Sequence, residues 1–395
     1  MPETNELSLD NLFPKGSRLL LTGGGKEFIE RIGVETTLQV IHHVMIGDNL
    51  RSHTEPLTRR RVAQISGAMV ALFAKGCLDS DTFFSQLSEL SVKQLDSTGK
   101  DKASTWIAQW AIGLTGKSVQ NVLRSKVGAM DNYLADFEAA INEAAEKCRK
   151  DIGDLTMTLG FAEVEGGKRV ELSWRDITRL TTAIGAQTLT IRGSDKSIYG
   201  KLFERLILGS FLTILGFERV DRNTNGKDSR VFWLSDSSAD RESDATALIE
   251  LGKVVRFDIG FIGPGNSEIS KDKLSRYARE VEIAGGKSSS VTFIVVDKLP
   301  KKGKTQAAAV AIGAEIIQMS MHHWTKELAQ KLGDRFGFRH ELQTMPDAEI
   351  SDYIAAKLKA IRVQDFLTGV SAEQLDQDIE LPEVEDEIEA YDEDE

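Results

Sequence analysis

Cysteine is almost missing from this chain of 395 residues. Cys77 and Cys148 alone give neither a disulfide framework nor a metal-ligand spacing, so a reducing compartment is the expectation. No apolar run reaches the roughly 18 residues that a membrane span needs. The first residues, MPETNELSLDN, hold neither a basic start nor an apolar signal core, so the sequence reads as cytoplasmic and without a membrane partner. Nucleotide-binding and hydrolase motifs are missing too. TGGGKEF at 22 to 28 lacks the spacing of a phosphate-binding loop, because Gly23 to Gly25 are adjacent and Glu27 follows Lys26. No nucleophile elbow is present. The pairs His42/His43 and His322/His323 are adjacent, and neighbouring side chains point apart on a helix or strand, which favours surface or loop histidines over a ligand pair.

An excess of positive charge is also lacking. The net charge of −12 argues at first against nucleic acid, whose phosphates are bound by Lys and Arg. The average hides an asymmetry. Residues 373 to 395 hold 13 acids and no base, which leaves 49 bases against 48 acids in residues 1 to 372. A tail this acidic is expected to be disordered; it solubilises the chain or competes with nucleic acid for a basic cleft.

What is present falls into four parts. Residues 1 to 185 read as a mostly helical domain, carried by TRRRVAQISGAMVALFAKG at 58 to 76 and DNYLADFEAAINEAAEKCRK at 131 to 150. Leu134, Phe137, Ile141 and Ala145 recur at the three- and four-residue spacing of a helix face. Residues 186 to 345 change character, residues 346 to 370 read as a closing helical segment, and residues 371 to 395 form the tail. In the second part, Ser194 and Asp195 are candidate N-caps of a long apolar helix. The stretch at 221 to 240 reads as a loop. SDATALIEL and KVVRFDIGFIG follow, two strand-like runs around Gly252 that read as a hairpin. A charged helix (SKDKLSRYAREVEIAG), a buried strand (SSVTFIVVDKL), a further strand (GAEIIQMSM) and a helix (HHWTKELAQKL) come next. The fold class is a mixed α/β core with a mixed sheet and an N-terminal mostly α domain.

Period-two alternation puts Val255, Phe257, Ile259 and Phe261 on one face, and Val254, Arg256, Asp258 and Gly260 on the other. A hairpin turning near residue 251 sets Asp244 almost opposite Asp258. Two carboxylates on one sheet face repel unless a cation or a proton neutralises them, and a divalent ion held by oxygen ligands, Mg²⁺ best, resolves the conflict. Such an ion suits phosphodiester hydrolysis. Glu204, with Lys201 and Arg205, marks a narrow polar stripe on the preceding helix, as an outer ligand or a carboxylate that orients one. In the charged helix, Lys273 is placed to reach a scissile phosphate, while Lys271, Arg276 and Arg279 hold a nucleic-acid backbone.

GSDKSIYGKLFERLILGSFLTILGF (193 to 217), ESDATALIELGKVVRFDIGFIGPGNSEISKDKLSRYAREVE (242 to 282) and VTFIVVDKL together resemble type II restriction endonucleases with the PD-(D/E)xK core, in particular the CfrBI-like group. The resemblance implies a helix before a hairpin of acidic strands, Mg²⁺, cleavage of double-stranded DNA at a short site, and a homodimer matched to a two-fold site. It makes Asp244 the first acid and Asp258 the second. Ser243 replaces the proline that often precedes the first acid. Gly260 stands where the lysine would, leaving that role open between Lys271, Lys273 and none. The competing expectations are a non-catalytic DNA-binding or regulatory protein on a nuclease-like scaffold, and an interaction protein with an acidic tail.

Overall fold

The structure is a computed structural model that describes residues 7–22, 25–97, 101–116, 129–154, 157–160, 169–221, 229–235, 243–260, 291–296, 314–320 and 323–367. Its N-terminal half is helical: α1 (Leu9–Leu12), α2 (Lys15–Thr22), α3 (Gly25–Ile32), α4 (Val34–Met45), α5 (Leu50–Asp79), α6 (Phe83–Ser97), α7 (Lys102–Ala111) and α8 (Ala129–Ile152). α5 starts where the Asn49 side chain accepts from the Arg51 N–H at 2.8 Å, an ordinary N-cap. Its C-terminal part is apolar enough by length and composition to cross a membrane, which the absence of a continuous apolar run does not suggest. Ile65, Met69, Leu72 and Phe73 are fully buried in the helical core instead.

A short antiparallel hairpin, β1 (Met157–Gly160) with β2 (Arg169–Leu172), leads into α9 (Trp174–Ile214). α9 is 41 residues long, or about 60 Å at 1.5 Å per residue. Ser173 and Asp176 close a capping box at its start, so the N-cap role read into Ser194 and Asp195 is corrected. Both lie inside the helix and are buried at 4% and 1% exposure. The Asp195 carboxylate meets the buried Arg61 guanidinium of α5. An N-cap and a buried anion partner use the same side-chain type, and only the tertiary cation tells them apart. Residues 185 and 186, where the helical part was divided from the second, fall within α9.

Six strands follow in the order β3 (Glu218–Arg219), β4 (Val231–Leu234), β5 (Ala245–Glu250), β6 (Lys253–Gly260), β7 (Val291–Val296) and β8 (Glu315–Gln318). β4 to β5 and β5 to β6 are antiparallel; the other pairings are parallel. β4 corrects the loop reading at 221 to 240, because the run VFWL suffices for a four-residue strand once β3 and β5 flank it. α10 (Trp324–Phe336), α11 (Asp347–Leu358) and a 3-10 turn at Val363–Leu367 close the described chain. The acidic tail and the charged helix expected at 270 to 285 lie outside the described residues.

One face of the sheet makes the second core. Ala245, Ala247, Val255, Phe257, Phe293 and Ile317 pack with Leu202, Leu206 and Phe211 of α9. Phe257 and Phe293 stack at 5.9 Å between centroids; burying one such ring is worth about 1.5–3 kcal/mol. Ile29, Val40 and Ile41 of α3 and α4 enter this core as well, and Trp324 Nε1 donates to the Val44 carbonyl at 2.8 Å. α9 therefore contributes to both cores: Leu180, Ala183 and Ile191 to the helical one, Leu202 onward to the sheet.

Candidate active site

The hairpin of β5 and β6 turns through Leu251 and Gly252, and Gly252 has φ +82°, a left-handed conformation that glycine adopts without strain. Taken alone, that turn sets the wrong register. Glu250 pairs with Lys253, and continuing from there would put Asp244 opposite Ile259, with Asp258 on the other face. An irregularity between Leu248 and Glu250 shifts the pairing by one, so that Leu248 faces Val254 and Ala245 faces Phe257. Asp244 and Asp258 are the next pair along. A one-residue shift exchanges the faces of every side chain beyond it, so this bulge decides that the two acids share a face.

Both carboxylates are half-buried and each accepts a hydrogen bond from the opposite strand. Asp244 Oδ2 takes the Ile259 N–H at 2.7 Å, and Asp258 Oδ1 takes the Asp244 N–H at 3.4 Å. Ionised carboxylates offer about four lone-pair sites each, so either can accept several donors or ligate a cation. The predicted facing pair is therefore formed, with its orientation held by the backbone. The alternation also holds: Val255, Phe257 and Ile259 are buried in the core, while Arg256 and Asp258 are half-buried on the other face.

Glu204 is half-buried on α9. Its neighbour Arg205 reaches the Ser235 carbonyl and, at 3.2 Å, the Phe366 carbonyl. The Ser235 N–H in turn donates to the Asp244 carbonyl at 3.2 Å. Arg205 thus ties α9 to the strand end that carries Asp244. The sequence reading left Arg205 as a member of a polar stripe, since its carbonyl partners lie 30 and 161 residues away. Arg256 is a second residue without an assigned role. It shares the face of Asp258 two residues earlier and lies in register with Thr246 and Thr292. Gly260 closes β6 on that face with no side chain. Lys271, Lys273, Arg276 and Arg279 lie outside the described residues.

Two facing strand carboxylates that could hold a hard divalent cation, on a mixed sheet backed by a long helix, define a core of the restriction-endonuclease type. The model of the CfrBI restriction endonuclease family matches residues 34–304, a span that runs from α4 past β7 and stops short of β8. The type II restriction enzyme CfrBI of Citrobacter freundii is 31% identical over 359 residues, 90% of this chain and 98% of that enzyme. This chain belongs to the CfrBI restriction endonuclease family. No solved structure matches it.

Proposed function

We propose that the chain is a type II site-specific deoxyribonuclease that hydrolyses phosphodiester bonds of double-stranded DNA with Mg²⁺. The observation that carries the reading is the pair Asp244 and Asp258, linked across the hairpin by two backbone-to-carboxylate hydrogen bonds, within a chain of this family. The all-oxygen donor set fits Mg²⁺. When bound there, the ion supplies charge for a phosphodiester and lowers the pKa of a water.

The remaining work falls to the chain's own residues. The Ile259 and Asp244 N–H groups keep the two carboxylates aimed, and Arg205 fixes the strand end beneath them. Glu204 orients a ligand from the helix side. Lys273 meets the scissile phosphate, and Lys271, Arg276 and Arg279 grip the backbone. The helical part contacts DNA or forms the surface of a homodimer, and the enzyme acts in the cytoplasm. Gly260 favours a second reading, a non-catalytic DNA-binding or regulatory protein, because no side chain stands at the family's lysine position.

One assay separates the two. Supercoiled plasmid incubated with the purified protein and Mg²⁺ should yield discrete fragments, and none with a chelator or with Asp258→Asn. An intact plasmid that the protein binds in Mg²⁺ would overturn nuclease activity and leave the second reading.

A further inference from the structure

A second cluster of metal-ligating side chains lies at the corner between α4 and α5, in the spacing His43, Asp48, His53. His43 is in the last turn of α4 and His53 in the first turn of α5. The His43 Nδ1 and Asp48 Oδ2 atoms are 2.8 Å apart. His53 Nε2 approaches the same Oδ2 at 3.4 Å. The two imidazoles stack at 4.2 Å between centroids, tilted by 15°, and one ligand atom from each of the three residues lies within 4.8 Å of the others.

We propose that His43, Asp48 and His53 form a site for a divalent transition-metal ion of the zinc class, separate from the Asp244–Asp258 pair. Bond lengths of 2.0–2.2 Å in a tetrahedral zinc site place neighbouring ligand atoms about 3.4 Å apart. The 3.4 Å between His53 and Asp48 already has that value. The 2.8 Å between His43 and Asp48 must open by about 0.6 Å, and one imidazole must rotate out of the 15° stack so that both ring planes contain the ion; Asp48, half exposed at the surface, has room to turn. Imidazole nitrogen suits zinc, cobalt or nickel and selects against Mg²⁺, whose ligands are oxygen. Three protein ligands on the outside of a corner leave the fourth position to water.

The scaffold under these ligands is fixed before any ion arrives. The end of α4 is held by Trp324 Nε1 on the Val44 carbonyl at 2.8 Å and Thr325 Oγ1 on the Met45 carbonyl at 3.3 Å. His42 lies 3.0 Å from the Ser351 carbonyl of α11 through its Nε2, so the adjacent histidines do point apart and His43 is the one turned to the corner. Gly47, at φ +104°, lets the chain reverse sharply enough to bring Asp48 between the rings. Donors on rigid helix ends are better preorganised than donors on a loop. A bound ion would staple α4 to α5 at a point anchored to α10 and α11.

The test uses the full chain and Co²⁺, whose visible absorption reports its coordination. The protein should bind one equivalent at this corner, and His43→Ala with His53→Ala should weaken that binding beyond the roughly 10–100-fold expected for loss of an outer-shell partner. Asp244→Asn with Asp258→Asn should keep it. Unchanged Co²⁺ affinity in the histidine variant, or loss of that equivalent in the aspartate variant alone, would overturn the proposal. Should the histidine variant not fold, X-ray absorption of the Zn²⁺-loaded natural chain decides: two imidazoles around zinc support the site, and none rejects it.

Discussion

Asp244 and Asp258 each face a partner acid and a backbone N–H, and this double demand separates their charge from their shape. Asn keeps an oxygen that accepts from Ile259 N or Asp244 N but carries no charge. Asp244→Asn and Asp258→Asn are each expected to lower plasmid cleavage by at least about 10²–10³-fold, the loss typical when one preorganised electrostatic group is removed. Their urea midpoints should stay close to that of the natural chain. A variant that cleaves at the natural rate would remove that acid from the site. Both residues stand out in the sequence as candidates because Asp is depleted in strand-like runs; Asp258 does lie within β6, whereas Asp244 stands one residue before β5. Arg205 does not, since its carbonyl partners come from distant segments that no local pattern connects to it. His53 does not either, because only the corner folds it against His43.

Among the elements, the hairpin was legible from Gly252 and the alternation, whereas the bulge that aligns it was not. An irregularity of one residue leaves no mark in composition. β4 and the start of α9 were misread for a related reason: short apolar runs and polar caps take their meaning from what packs beside them. Packing also decides a position that propensity alone would judge the other way. Gly209 lies inside α9, where Ala is favoured by about 1 kcal/mol. A Cβ there would come within 2.7 Å of the Phe366 ring, which is buried in the core and cannot swing clear. Overpacking of this kind costs about 1–3 kcal/mol, so Gly209→Ala should destabilise, and a urea titration will read the sign.

The sheet edge offers an electrostatic counterpart. Burial pushes the Glu315 carboxyl of β8 up, but Lys331 and Arg335 of α10 outweigh it and hold the group below its ordinary value of 4.5. A carboxyl depressed in the folded state stabilises it above the unfolded value and loses that contribution as the pH falls through the folded one. Glu315→Gln should therefore be less stable than the natural chain near neutral pH. The gap should narrow as the pH drops below about 4.5. Unfolding midpoints of both proteins across that range check it; a gap that stays constant would mean that the ion pairs contribute nothing.

For the molecule as a whole, a two-fold DNA site is best matched by two copies of the chain presenting one acid pair to each strand. Sedimentation should show a homodimer, and a monomer both free and on DNA would contradict it. The mixed α/β class was legible from the order of helices and strands. The depth to which α3, α4 and α9 enter the sheet core was not, because a helix's apolar face does not say which neighbour covers it.

α9 has a mechanical consequence. One stiff rod of about 60 Å is clamped near its middle by the buried Arg61–Asp195 pair, with its first half built into the helical core and its second into the sheet core. Two bodies that share a beam cannot rotate about a linker; they tilt together or bend the beam. Where the helical half seats on a surface therefore sets the position of Asp244 and Asp258, so that misalignment at one end is carried to the other as a geometric error. Fidelity in such a molecule is a matter of leverage, and a substitution that softens the rod at its midpoint should blur the choice of site before it slows the cut.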